Sequence, residues 1–142
     1  MIENLAKNAK EFSQQLSSLA VLFDTNMETI IRASILRLFT NIIRRSPVDT
    51  GAYRASHMII SGRMPEDNEG IVTDIENKGV PNVTGWKFDI ENDEFVVIFN
   101  NVPYAERLED GHSDQAPEGI YSVALEEFNS IFREELKQGG FE

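Results

Sequence analysis

The stretch Asn100-Asn101-Val102-Pro103-Tyr104-Ala105-Glu106-Arg107-Leu108-Glu109-Asp110-Gly111-His112-Ser113-Asp114-Gln115-Ala116-Pro117-Glu118-Gly119 decides how the chain is organised. It begins where an apolar strand pattern stops and ends where a helical pattern starts. Pro103 suits the first residue of a short helix, where its missing N–H is not needed. Gly111 suits the end of that helix, because glycine takes a left-handed cap cheaply. Pro117 is expected to open the next helix as Pro103 opens the first. A sheet, a short helix, a tight loop and a terminal helix therefore follow one another, which predicts an α+β fold.

Working outward, Phe95, Val97 and Phe99 alternate with other residues just before this stretch. Trp86, Phe88 and Ile90 do the same before the turn signal Glu91-Asn92-Asp93-Glu94, so residues 86–99 read as a β-hairpin with one aromatic face buried. Ala55 to Ser61 reads as a further strand, and Ile71 to Ile75 as a weak one. The expectation is an antiparallel sheet of about four strands. Gly62 to Asn82 is polar, acidic and rich in Gly, Pro and Asn, and reads as a long excursion with a mobile tip. On the other side, Tyr121, Ala124, Leu125, Phe128, Ile131, Phe132 and Leu136 make one amphipathic helix stopped at Gly139-Gly140.

The front of the chain is helical. Leu5, Ala9, Phe12, Leu16, Leu19, Phe23, Met27, Ile31, Ile35, Leu38 and Ile42 fall at steps of three and four, one stripe that ends before Pro47. Unbroken, it would run about 60 Å, longer than a domain of this size needs. Thr25 and Glu28 have the spacing of a capping box, so the stripe fits either two helices or one kinked helix. The surplus length suggests packing on a neighbouring subunit. With 142 residues, the chain reads as a single domain: a helical region 1–45, a sheet region 46–102 containing the excursion 62–82, and a helical region 103–142.

Composition narrows the function. The chain has no cysteine, which removes disulfides, thiol catalysis and thiolate metal sites. No apolar run is long enough to cross a membrane, and nothing reads as a signal peptide, so cytosolic synthesis is expected. A net charge of −11 argues against a nucleic-acid binder that works by neutralising phosphates. Arg32, Arg37, Arg44, Arg45 and Arg54 cluster, whereas acidic residues crowd Glu66 to Glu94 and Glu106 to Glu118. This reads either as a solvated surface or as complementary charge between copies of the chain.

The sharpest chemical motif is Asp49-Thr50-Gly51-Ala52, the triplet that aspartic peptidases use when two subunits bring two aspartates together. Here it follows the helical Ile42-Ile43-Arg44-Arg45 rather than an apolar strand. The preferred reading is a turn in which Asp49 accepts backbone N–H groups and Gly51 supplies the special dihedral. His57 and His112 are the only histidines, and neither has zinc- or calcium-loop spacing. With no phosphate loop and no nucleophile elbow, an enzyme is the weaker reading, and no cofactor or metal is expected.

Three blocks carry a resemblance. Ser46-Pro47-Val48-Asp49-Thr50-Gly51-Ala52-Tyr53-Arg54-Ala55-Ser56 resembles the Pro-Val-Asp-Thr-Gly signature of the HK97 gp10-like family of tailed-phage virion proteins. Asn100-Asn101, Tyr104-Ala105 and Leu108-Glu109-x-Gly111 are similar to its second signature, and Ala116-Pro117-x-Gly119 to its third. Tyr53 stands where an aliphatic residue is commoner, and His57 where an aromatic often sits. The resemblance implies a non-enzymatic structural protein of the neck, in a homo-oligomeric ring that completes or joins the tail. It would be made in the host cytoplasm and end in the virion. Its neighbours would be connector or head-completion proteins and tail proteins, with genomic DNA passing through unbound. A tail-terminator or other tail-tube ring protein is the near alternative. Pro47, Asp49, Thr50, Gly51, Arg54, Tyr104, Leu108, Glu109, Gly111 and Pro117 are the expected turn and assembly residues, with Arg54 bridging to Glu109 or Asp110 within or between chains.

Overall fold

The computed structural model describes residues 2–73, 79–81, 83 and 85–141, with side chains from residue 8 onward. The elements run in the order α1 (Ile2–Arg45), α2 (Ala52–Ala55), β1 (His57–Ser61), β2 (Val96–Asn100), α3 (Ala105–Glu109), α4 (Tyr121–Glu126) and α5 (Phe128–Gln138). Helix and sheet are mixed, as expected.

Helix α1 is continuous over 44 residues, about 66 Å at 1.5 Å per residue. Of the alternatives the stripe left open, two separate helices are not formed: the helix runs through Asp24 without a break. The Thr25 hydroxyl donates back to the Val21 carbonyl at 2.9 Å, a bond that a helix interior permits, so Thr25 caps nothing. The Glu28 carboxylate instead accepts the Ile90 N–H at 3.2 Å.

Among the described residues the sheet has two strands, not four. β1 pairs antiparallel with β2, His57 opposite Asn100 and Ser61 opposite Val96. The expected strand at 86–90 runs nearby without a backbone ladder, because side chains take its polar groups. Ser61 Oγ donates to the Lys87 carbonyl and accepts from Trp86 Nε1, each at 2.9 Å. Asp93 accepts the Asp89 N–H at 2.8 Å and Glu28 takes that of Ile90. Of the weak strand expected at Ile71 to Ile75, residues 71–73 are not a strand, and the rest lies outside the described residues, as do 76–78 and 82 of the excursion. The described part of the excursion is held by side chains too. Ser56 Oγ accepts the Val72 N–H at 2.9 Å, and Asn101 Nδ2 donates to the carbonyls of Glu66 and Glu69 at 3.3 and 3.1 Å.

The core joins the C-terminal half of α1 to the quoted stretch and α4: Leu38, Ile42, Tyr53, Val102, Ala116, Ile120 and Ala124 are buried together. The terminal helix is interrupted once, at Glu127, where the N–H reaches back three residues to the Ala124 carbonyl at 3.2 Å. The Glu127 carboxylate pairs with Arg45 and accepts from Asn41 Nδ2 at 3.2 Å, while Arg37 reaches Glu134 and Glu135 at 2.8 and 3.1 Å. Arg37 and Arg45 of the arginine cluster thus bind α1 to α5. The helix ends where expected: Gly140 at φ 88° closes it, with Gly140 N–H on Lys137 and Phe141 N–H on Leu136. Among the described side chains of the N-terminal half of α1, residues 8–26 are exposed throughout.

Candidate functional site

Helix α1 ends at Arg45, two residues before Pro47, as the restriction on a residue preceding proline requires. The turn that follows is held at both ends. Gln115 clamps Val48 by its amide, accepting the N–H at 3.0 Å and donating to the carbonyl at 3.2 Å. Thr50 Oγ1 accepts the Ala52 N–H at 3.2 Å, and Gly51, at φ 92°, starts α2 by accepting the Ala55 N–H at 2.9 Å. Thr50 therefore does what was expected of Asp49, which stands exposed with no hydrogen bond among the described residues.

Two blocks fifty residues apart converge here. Pro47, Asp49, Thr50 and Gly51 line one side of a groove of about 570 Å³, and Tyr104 and Leu108 line the other. The second block forms α3, which starts later than expected. Pro103 sits in the turn Val102–Ala105, whose closing bond is 3.0 Å, and the helix begins at Ala105. Gly111 ends it as expected. At φ 87° it sends its N–H to Leu108 and lets that of His112 reach Arg107, both at 3.1 Å.

The third block locks onto the second through backbone contact. A Cβ on Gly111 would lie 2.3 Å from the Pro117 carbonyl oxygen, and one on Gly119 would lie 2.6 Å from that of Glu109. Pro117 does not open a helix. It sits in the turn Ala116–Gly119, and α4 starts at Tyr121. What opens α4 is Glu109. Its Oε2 accepts the N–H groups of Ile120 and Tyr121 at 3.0 Å each, and its Oε1 that of Ser122 at 2.9 Å. Burial pushes this carboxyl up, but the three N–H groups and the Ser122 hydroxyl outweigh it and hold the group below its ordinary range. Arg54, expected to bridge to Glu109 or Asp110, sends Nε to the Gly79 carbonyl at 3.0 Å. Glu109→Ala should cost about 2 kcal/mol in denaturant unfolding, since it leaves three N–H groups at a helix start without their acceptor. Glu109→Gln, which keeps an acceptor oxygen, should recover about half of that loss.

Beneath the groove lies a buried polar cluster that the sequence reading missed. His57 is 1% exposed, with Nε2 2.6 Å from Ser46 Oγ and Nδ1 2.8 Å from the Tyr121 hydroxyl. Ser46 already donates its one proton to the Ile42 carbonyl at 2.7 Å. It can only accept from the ring, so Nε2 carries the hydrogen and Nδ1 accepts from Tyr121. Asn100 Nδ2 donates to the Tyr53 carbonyl at 2.8 Å and lies 3.3 Å from Nδ1. Tyr53 and Phe39 meet the imidazole edge-to-face. Burial drives the ring towards its neutral form, lowering its pKa to about 4 despite the opposing field of Glu109. Burial also pushes the Tyr53 and Tyr121 hydroxyls up.

This arrangement joins the end of α1, both strands and α4 at one point. It is no nucleophile–base pair, because the serine proton is spent on a backbone carbonyl and both groups are sealed from solvent. Ser46 and Asn100 lie inside the first two blocks, and His57 follows the first directly. Position within the blocks was the available signal. No group of three or more His, Asp or Glu side chains is placed to hold a metal among the described residues, and no described helix is long and apolar enough to cross a membrane. In comparisons with known proteins no family model matches the chain, and no curated protein and no solved structure matches it.

Proposed function

We propose that the chain is a structural component of a tailed-phage particle that assembles with itself into a ring in the neck. There it completes or joins the tail between connector or head-completion proteins and tail proteins, and lets genomic DNA pass without holding it. The resemblance in the three blocks suggests the family, and the meeting of the first two along one groove fits a surface made for docking. The observation that carries self-assembly is α1. Phe12, Leu16, Leu19 and Phe23 fall on one face of the helix and are each at least half exposed, an apolar stripe of the kind that marks an interaction surface.

A catalytic role finds no support in the geometry. Asp49 is exposed on a turn after a helix, where a peptidase dyad needs two aspartates pressed together out of bulk water. The net charge of −11 suits a wall that DNA slides past, since duplex carries about one negative charge per 1.7 Å. Electron cryo-microscopy of particles containing this chain should find it as a closed ring at the head–tail junction. A single asymmetric copy per particle would overturn the reading, and a ring at the far end of the tail tube would move it to the tail-terminator alternative.

A further inference from the structure

The exposed half of α1 is chemically unlike the rest of the surface. From Phe12 to Phe23 there are twelve consecutive residues without a charge, in a chain where 26% of residues are charged. Ala9, Phe12, Leu16, Leu19 and Phe23 keep the three–four spacing of a seam that packs against another element. That seam continues an interface already present. Nearer the body, Ile30 is 4% exposed and packs against α5 at Gly139, and Phe141, just past α5, meets Phe23 edge-to-face at 5.6 Å. On the N-terminal side of Phe23, Phe12, Leu16 and Leu19 are each at least half exposed, so among the described residues the seam runs on bare.

The body of the same chain carries a vacant counterpart. Ile31, Ile35, Phe95, Ile98 and Leu125 line an apolar groove of about 430 Å³ between α1, β2 and α4, with Leu125 58% exposed. The arm cannot fill its own groove. Ile31 and Ile35 belong to the same unbroken helix as the arm, so Leu19 stands about 18 Å along the axis from Ile31 and stays there. A seat for the arm must belong to another molecule. A lipid surface is a poor occupant, because interfacial helices carry Lys and Arg on the polar face, whereas this arm carries Ser13, Gln14, Gln15, Ser17 and Ser18.

We infer that the arm of one copy, through Phe12, Leu16, Leu19 and Phe23, seats in the groove of a second copy between α1, β2 and α4. This rests on the reading of the chain as a self-assembling ring protein and names its subunit contact. The contact is head-to-tail, with different surfaces on the two sides, which is the kind of contact that closes into rings.

The absence of cysteine makes the test direct. Leu19→Cys and Leu125→Cys variants are prepared separately, mixed at high protein concentration under oxidising conditions and compared with each alone. The expected result is a mixed disulfide on combining them, little dimer from either alone, and a ladder of closed multimers from the double variant. Dimers from Leu19→Cys alone would mean that arms pair with arms, which overturns the seat. In parallel, native mass spectrometry follows the unmodified protein. An oligomer that gives no mixed disulfide overturns the seat, and so does a monomer at every concentration; neither touches the ring reading, which is decided by the copy number in the particle. Leu16→Glu combined with Leu19→Glu should weaken association at least about thirtyfold. Its unfolding midpoint as a monomer should be unchanged, because both side chains are already exposed. Undiminished association would count against the arm.

Discussion

Gly111→Ala is expected to destabilise the protein by about 3 kcal/mol or more. Two costs combine. The backbone at φ 87° lies in the left-handed region, which charges an L-residue about 1–2 kcal/mol. The new Cβ would also stand 2.3 Å from the Pro117 carbonyl oxygen, so the second and third blocks would have to part. Gly140 provides the control. Its φ of 88° is nearly the same, yet a Cβ there meets nothing within 4 Å. Gly140→Ala should therefore cost only the dihedral part, about 1 kcal/mol. Denaturant unfolding of the two variants separates the terms. Equal losses would show that the approach of Gly111 to Pro117 contributes nothing.

Lowering the pH from 7 to 4 should remove about 3 kcal/mol of stability through His57 alone. Burial depresses the folded-state pKa to about 4 from the ordinary histidine value of 6.5. Below 6.5 the unfolded chain binds a proton that the folded chain refuses. Stability is then fully present above the unfolded value and falls by about 1.4 kcal/mol per pH unit until the folded value is reached. The carboxylates with depressed values act lower down. Glu109 and Glu69 are both held below 4.5, so the window between 4.5 and 6.5 belongs to the histidine. His57→Phe should flatten the pH dependence in that window. At pH 7 it should cost about 1–3 kcal/mol, because the Tyr121 hydroxyl loses its acceptor in a buried site. An unchanged slope in the variant would mean that the imidazole is not the group being titrated.

Periodicity and punctuation were legible in the chain by itself. The stripe from Leu5 to Ile42 announces a long helix because a 3.6-residue repeat needs no partner to be recognised, and Pro47 marks its end through a local steric rule. Gly111 and Gly140 were readable as helix ends for the same reason: a left-handed residue is a local requirement with a local solution. The surplus length of α1 was legible as well, and it is this surplus that stands bare.

Tertiary structure decided wherever one side chain answers a backbone group far away in the chain. Glu109 starts α4 from eleven residues upstream, so Pro117, a good local signal for a helix start, does not set the boundary. Ser61, Asp93 and Glu28 take the polar groups of residues 87–90, so an alternating pattern that promised a strand forms none. The Thr25–Glu28 pair looked like a cap, but Glu28 had a partner at Ile90 and Thr25 turned back on its own helix. Ser46, His57 and Tyr121 meet although no spacing announces them. A pattern records which face of an element is apolar. Which polar atoms will find each other is settled only when the elements have packed, because an unpaired buried polar atom costs more than a local preference gains.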